Sequence, residues 1–280
     1  MELLRPDSLS AAQAALGNGG ESRPLAGGTE LVPLLRDRIV AAKTLVDVGA
    51  VVPKGVDGAR IGAGTTLGEL EVDPQIPAAL REACRLAASP QLRAMGTIGG
   101  NLLQATRCWY WRLGYRCFLH GGERCHAKAG EHREHALFGN ERCASAHPSD
   151  PAAALLALGA VVETTRRRIP LPELYRLPTE DNRSTTTLAE GELILHVEIE
   201  RPDASTYLKA MDRRRFSFPL VGVAAARFGA ENRLALAGVA PIPWALAGAG
   251  ELDDATPLPG NAYKLDIARA LVRRALEAVG

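Results

Sequence analysis

The chain has 280 residues, 46% of them apolar, and a formal net charge of +1. That length buries a substantial core and normally divides into two or three domains, and near-neutrality argues against a dedicated nucleic-acid binder while permitting docking to partner subunits. The start, MELLRPDSLSAAQAAL, lacks the basic and apolar regions of a secretory signal, and no window approaches the length of uncharged apolar residues that a membrane helix needs; a cytoplasmic location is the default expectation, with export alongside a signal-bearing partner as the alternative.

Ser8 to Leu16 reads as a short helix, capped by Ser8 or Ser10 and ended by Gly17. Pro24 to Leu31 reads as a brief strand, a glycine turn and the start of a helix running to about Arg36, and Thr44 to Val48 as a strand. Gly49 to Gly58, rich in Gly, Pro and Lys, marks a boundary. A second unit opens with a strand from Arg60 to Gly64; Thr66 caps Leu67 to Leu70, and Gln75 to Ala88 carries apolar residues near helical spacing. Residues 105 to 146 show little periodicity and hold four of the six histidines; a connection this long is usually functional or disordered. Regularity resumes with a helix from Pro151 to Leu158 and a strand from Ala160 to Thr164. Strands follow at Leu193 to Glu200, Thr206 to Met211, Leu220 to Phe228 (helix being the alternative) and Leu234 to Val239, and an amphipathic helix runs from Tyr263 to Val279. The expected units are residues 1–55, residues 56–165 with an insertion at 105–146, and residues 166–280.

Two glycine turns stand out. In Ala26-Gly-Gly-Thr-Glu-Leu31 the glycines precede a helix start. Glycine lets the backbone approach a phosphate, and a helix start offers unpaired N–H groups to it. Gly96-Thr-Ile-Gly-Gly-Asn-Leu102 is a second such turn, and two turns far apart in sequence can clasp one dinucleotide. Taken alone, the first reads more readily as a plain strand–turn–helix corner, and the second equally as a tight loop.

AGGTELVPLL, RIGAGTTLGEL, QLRAMGTIGGNL, HPSDPAAALLALGA and YLKAMDRRRFSFPLVGVAAA occur in the order found in the FAD-binding medium subunits of the molybdenum hydroxylases, which the chain resembles over nearly its whole length. That family includes xanthine dehydrogenases, aldehyde oxidoreductases, carbon monoxide dehydrogenase and 4-hydroxybenzoyl-CoA reductase. The resemblance implies an α+β chain with a PCMH-type FAD-binding fold, two α/β subdomains clasping FAD, plus a C-terminal α+β domain of antiparallel strands and helices. It implies that Leu25, Ala26, Gly27, Gly28, Thr29, Glu30 and Leu31, with Thr97, Gly99, Gly100 and Asn101, hold the FAD diphosphate and ribityl region. Asp150 would hydrogen-bond the flavin nucleotide, Lys209 would lie near the isoalloxazine ring, and Thr65 and Thr66 would line the site. Read without the resemblance, Asp150 is a helix N-cap and Lys209 a solvated strand lysine.

Cys108, Cys117, Cys125 and Cys143 fall in the insertion with spacing C-x8-C-x7-C-x17-C. Zinc sites favour pairs two to four residues apart, and none exists here. Four thiolates suit a [4Fe-4S] cluster. A minority of the family, including 4-hydroxybenzoyl-CoA reductase and the periplasmic type of aldehyde oxidoreductase, carries a cysteine-bearing loop at this point; the latter also has an element like His135-Ala-Leu-Phe-Gly139. These four cysteines are therefore the expected cluster ligands, with free thiols or zinc as the alternative. Cys84 reads as a buried inert thiol, and His120, His126, His132, His135 and His147 as loop hydrogen-bonders. Arg107, Arg112, Arg116 and Arg124 either offset cluster charge or are solvated, and Trp109 and Trp111 shield the cluster, face a partner or simply pack. No catalytic acid or base emerges. The expectation is an oxidoreductase subunit: electrons pass from a large molybdenum subunit and a small [2Fe-2S] subunit to FAD here, then to an acceptor. A zinc-stabilised structural module and a stand-alone flavoprotein oxidase are the competing readings.

Overall fold

The computed structural model describes residues 1–17 and 20–280. The first unit is a three-stranded parallel sheet formed by β1 (Glu2–Leu4), β2 (Ser22–Leu25) and β3 (Thr44–Asp47), with β3 in the middle. Helix α1 (Leu9–Leu16) starts at Ser8, whose Oγ accepts from Ala11 N, and it buries Ala12 and Leu16 against Val46, Val48 and Leu193. The second helix, α2 (Leu31–Arg36), follows the first glycine turn. The segment expected as linker contains a short strand, β4 (Val56–Asp57), paired antiparallel with β5 (Arg60–Gly62). Gly62 permits this: a Cβ there would stand 2.5 Å from the carbonyl oxygen of Pro53.

The second unit continues with α3 (Leu67–Leu70), begun by a full capping box between Thr66 and Glu69. Helix α4 (Ala78–Leu86) is shorter than the expected Gln75 to Ala88, because extended Pro77 precedes it and Ala88 takes a left-handed φ of 48°. Next come α5 (Pro90–Arg93), α6 (Ile98–Leu102), α7 (Trp109–Arg112) and α8 (Asp150–Ala157). Then β6 (Val161–Thr164), β7 (Arg168–Pro170), α9 (Leu171–Leu174) and β8 (Ile194–Glu198) close an antiparallel five-stranded sheet of order β4-β5-β8-β6-β7. This sheet takes strands from both sides of position 166.

The third sheet is antiparallel: β9 (Ala204–Met211), β10 (Pro219–Phe228), β11 (Glu231–Ala237) and β12 (Trp244–Leu246), in the order β12-β11-β10-β9. Its central strand β10 is apolar on both faces for a physical reason. Val221, Val223 and Ala225 pack with the amphipathic α10 (Tyr263–Val279), whereas Ala224 and Ala226 join the core around α8 and α4. Every residue of α8 is buried. Its alanine-rich sequence lets it lie close to α4 and to the third sheet, so this helix is where the second and third units share one core.

Candidate functional site

The two glycine turns, about 70 residues apart, lie against each other. A Cβ on Gly27 would sit 1.7 Å from the carbonyl oxygen of Met95, and one on Gly96 would sit 3.4 Å from Thr29 Oγ1. No other residue type fits at Gly27 without moving the second turn, and Gly28 adopts a φ of +70°. Leu25 ends β2 and Leu31 begins α2, so the turn is fixed at both ends. Among the described residues, the backbone N–H groups of Ala26, Gly27, Gly28, Thr29, Glu30 and Leu31 have no hydrogen-bond partner, and all but Ala26 are half-buried. Such a run of unpaired, partly accessible donors is the equipment of an anion cradle.

The second turn is built differently. Thr97 caps α6, its Oγ1 accepting from Gly100 N at 3.2 Å. Ile98 N donates to Thr65 O at 2.8 Å, Gly99 N to Ala63 O at 2.9 Å and Asn101 N to Thr97 O at 2.8 Å. Gly99 packs so closely that a Cβ would touch Ala63 at 3.0 Å, while Gly100 is exposed. This turn therefore uses its amides to hold position and leaves a bare glycine surface beside the first. Thr65 is buried, with its hydroxyl bonded to both N and O of Gly55. Thr66 caps α3. Neither hydroxyl joins the two turns.

Asn101 ties the second turn to the acidic one: its Oδ1 accepts from Ser149 Oγ at 2.5 Å. Ser149, not Asp150, is the N-cap of α8, its Oγ accepting from Ala152 N at 2.9 Å. Asp150 lies inside the helix, 2% exposed, and pairs with Lys209 at 2.8 Å and with the Tyr207 hydroxyl. Lys209 is not a solvated strand lysine: its side chain is fully buried and Nζ also donates to Leu86 O, at the end of α4, at 3.0 Å. Burial pushes the Asp150 carboxyl above its usual range, with Lys209 and Tyr207 pulling the other way. Gly222 makes room for the Tyr207 hydroxyl, which would stand 2.0 Å from a Cβ. Asp150 and Lys209 thus bolt β9 to α8 and α4, and neither presents its charged end to solvent.

The cysteine loop leaves and re-enters the fold at one place, where Thr106 Oγ1 donates to Ala146 O at 3.4 Å. Cys108, Cys117, Cys125 and Cys143 all line one small cavity, together with Trp111, Phe118 and Ser145. Among the described residues no group of three or more His, Cys, Asp or Glu side chains is arranged to hold a metal ion, so the thiols surround a space without converging on a point. Cys125 is held down to about 5 by the Cys143 thiol and by backbone N–H groups including that of Ala144, 3.5 Å away. Its neighbour Cys143 is raised, first by that same bond and then by burial. Burial pushes Cys108 up to about 11, against the N–H groups of Trp111 and Tyr110. Amide donors aimed at sulfur are what a thiolate-bound group requires.

Several anchors of this loop are invisible in the sequence. Glu30, in the first glycine turn, accepts from Arg112 at 2.6 Å, from Arg107 at 2.5 Å and from Ala105 N at 3.2 Å. Arg107 and Arg112 are therefore neither solvated nor turned on the thiols; they join the loop to the turn. Lys264 of α10, fully buried, donates to the carbonyls of Glu134, His135 and Gly238 at 3.1, 2.8 and 2.7 Å. Asn261 donates to those of His135 and Ala136 at 3.0 and 3.1 Å. One sequence signal pointed to Lys264: it lies on the same helical stripe as Ala268, Leu271, Val272 and Ala275. His126, His132 and His147 bond to loop or turn backbone, as read from the sequence. His135 instead reaches Cys108 Sγ at 3.2 Å. Trp111 lines the cavity and Trp109 packs edge-on against His135. Cys84 is buried and its thiol strongly raised by burial, an inert core residue.

Residues 1–202 match the family described as the FAD binding domain in molybdopterin dehydrogenase. The chain is 37% identical over 247 residues to the aldehyde oxidoreductase FAD-binding subunit PaoB of Escherichia coli (strain K12), covering 80% of this chain and 77% of that one. It is 42% identical over 107 residues to the carbon monoxide dehydrogenase medium chain of Afipia carboxidovorans, 35% of this chain and 37% of that one. In shape it follows a chain of the reconstituted CO dehydrogenase from Oligotropha carboxidovorans, with a TM-score of 0.72 over 100% of this chain and 97% of the other, at 23% identity. At that identity the likeness is one of fold.

Proposed function

Because this chain belongs to the FAD-binding medium subunits of the molybdenum hydroxylase family, we propose that it is the flavin- and iron–sulfur-bearing electron-transfer subunit of an oxidoreductase complex of the aldehyde oxidoreductase type. The observation that carries the flavin half is the run of unpaired amides from Ala26 to Leu31, laid against the exposed glycine surface of the second turn. Those amides would take the FAD diphosphate, and Thr29, Gly100 and Asn101 would border the adjoining part of the cofactor. FAD supplies the redox chemistry; the protein holds and orients it. The partners in this reading are a large molybdenum subunit and a small [2Fe-2S] subunit, which deliver the electrons.

The cluster half of the proposal rests on four thiols around one cavity, with the Ala144 N–H directed at the Cys125 sulfur. Zinc would need four sulfurs at about 2.3 Å from a single point, whereas thiols spread around a cavity suit a polynuclear [4Fe-4S] group. Cys108, Cys117, Cys125 and Cys143 would be its ligands.

The test is made on the full chain purified with the subunits that accompany it. Wild type should show flavin bands and an iron–sulfur shoulder. Gly27→Ala should lose most of its flavin, because its Cβ cannot coexist with Met95 O; a folded Gly27→Ala protein with full flavin would count against the cradle. Cys117→Ser should lose iron and keep flavin. A colourless wild type with stoichiometric zinc would sink the redox reading, and purification without partners would favour a stand-alone oxidase.

A further inference from the structure

His135 is 2% exposed at the edge of the cysteine cavity, with Nε2 3.2 Å from Cys108 Sγ. Its other ring nitrogen, Nδ1, is buried without a partner. A neutral imidazole carries one N–H and one lone pair. Burying an N–H without an acceptor costs more than leaving a lone pair idle in apolar surroundings, so the proton belongs on Nε2, directed at the sulfur.

The backbone that carries the ring is pinned on both sides. The backbone N–H of His135 donates to His132 O at 3.0 Å, and its carbonyl accepts from Lys264 Nζ at 2.8 Å and Asn261 Nδ2 at 3.0 Å. Trp109 stands edge-on to the ring, with centroids 4.7 Å apart. Buried Lys264 of α10 and Asn261, just before that helix, thus fix the backbone of one histidine, and that histidine turns Nε2 to one thiol.

We propose that His135 is a positioning residue whose Nε2–H donates to the Cys108 sulfur and raises the reduction potential of the group the four cysteines hold. This rests on the cluster reading above. Reduction adds negative charge that spreads onto the ligand sulfurs, so a fixed donor stabilises the reduced form more than the oxidised one.

The experiment compares wild type, His135→Leu and His135→Gln in the assembled complex, reading iron per chain and the midpoint potential by titration followed by electron paramagnetic resonance. His135→Leu should keep its iron and shift its reduced-to-oxidised ratio about tenfold toward oxidised, a fall of about 59 mV for a one-electron couple. His135→Gln, which retains an N–H donor, should recover much of the shift. An unchanged potential in iron-replete His135→Leu would overturn the inference. Loss of iron in both variants would overturn it too, making His135 a ligand or a structural support. An iron-free wild-type complex is a different failure, that of the cluster reading itself.

Discussion

Lys264 places an ammonium in the interior with three carbonyl oxygens around it and no carboxylate paired to it among the described residues. Burial pulls it down to about 7, with Glu134 opposing weakly from a distance. The sign follows from linkage. A lysine depressed in the folded state binds fewer protons there than in the unfolded chain between about 7 and the ordinary lysine value, so its contribution to stability rises with pH across that window and is lost as pH falls through 7. Lys264→Met lacks this dependence. Urea unfolding at pH 7, 8 and 9 should show wild type gaining on the variant by about 1.4 kcal/mol per pH unit; parallel pH profiles would show that the ammonium stays charged throughout. Asp150 illustrates a neighbouring lesson. A carboxylate just before proline reads as a helix cap, yet Ser149 takes that role and frees Asp150 to pair with Lys209, 59 positions away in sequence. Capping is local and can be read from local sequence; an ion pair across the fold cannot.

Among the elements, those whose period outlasts a few residues were legible. Tyr263 to Val279 appears with its expected bounds, and β9 and β10 fall within a few residues of theirs. β1 has only three residues, too few to carry a period, and exists because β3 pairs with it. α6 contains Gly-Gly, a poor helix former, and forms because Thr97 caps it and Ala63 and Thr65 accept its first amides. The four cysteines stand out in the sequence as a group and line one cavity, but the loop's tether to the first glycine turn could not be read there, since Glu30 meets Arg107 and Arg112 across 77 and 82 positions. That tether should be measurable. Glu30→Gln leaves two half-buried guanidinium groups without their counter-charge. Hydrogen exchange across residues 105–113 should rise at least several-fold, and flavin content should fall with it. Unchanged exchange would mean the neighbouring backbone contacts suffice.

At the scale of the molecule, α8 is the shared keel: its alanines touch α4 on one side and the third sheet on the other. Ala154→Leu should cost about 1–3 kcal/mol through overpacking and shift a single calorimetric transition, because the second and third units have one core; two separated transitions would show that they melt independently. The contact between Thr106 and Ala146 has a different bearing, on ancestry and engineering. A segment of some forty residues whose two ends already touch behaves as a cassette, which a lineage can acquire or discard with a short splice and no rearrangement of the scaffold. Excision would not be free of side effects: Lys264 would keep only Gly238 O of its three acceptors. A chain that sheds the cassette should therefore also replace that lysine with an apolar residue, leaving a paired signature by which descendants of such a loss can be told from chains that never carried the loop.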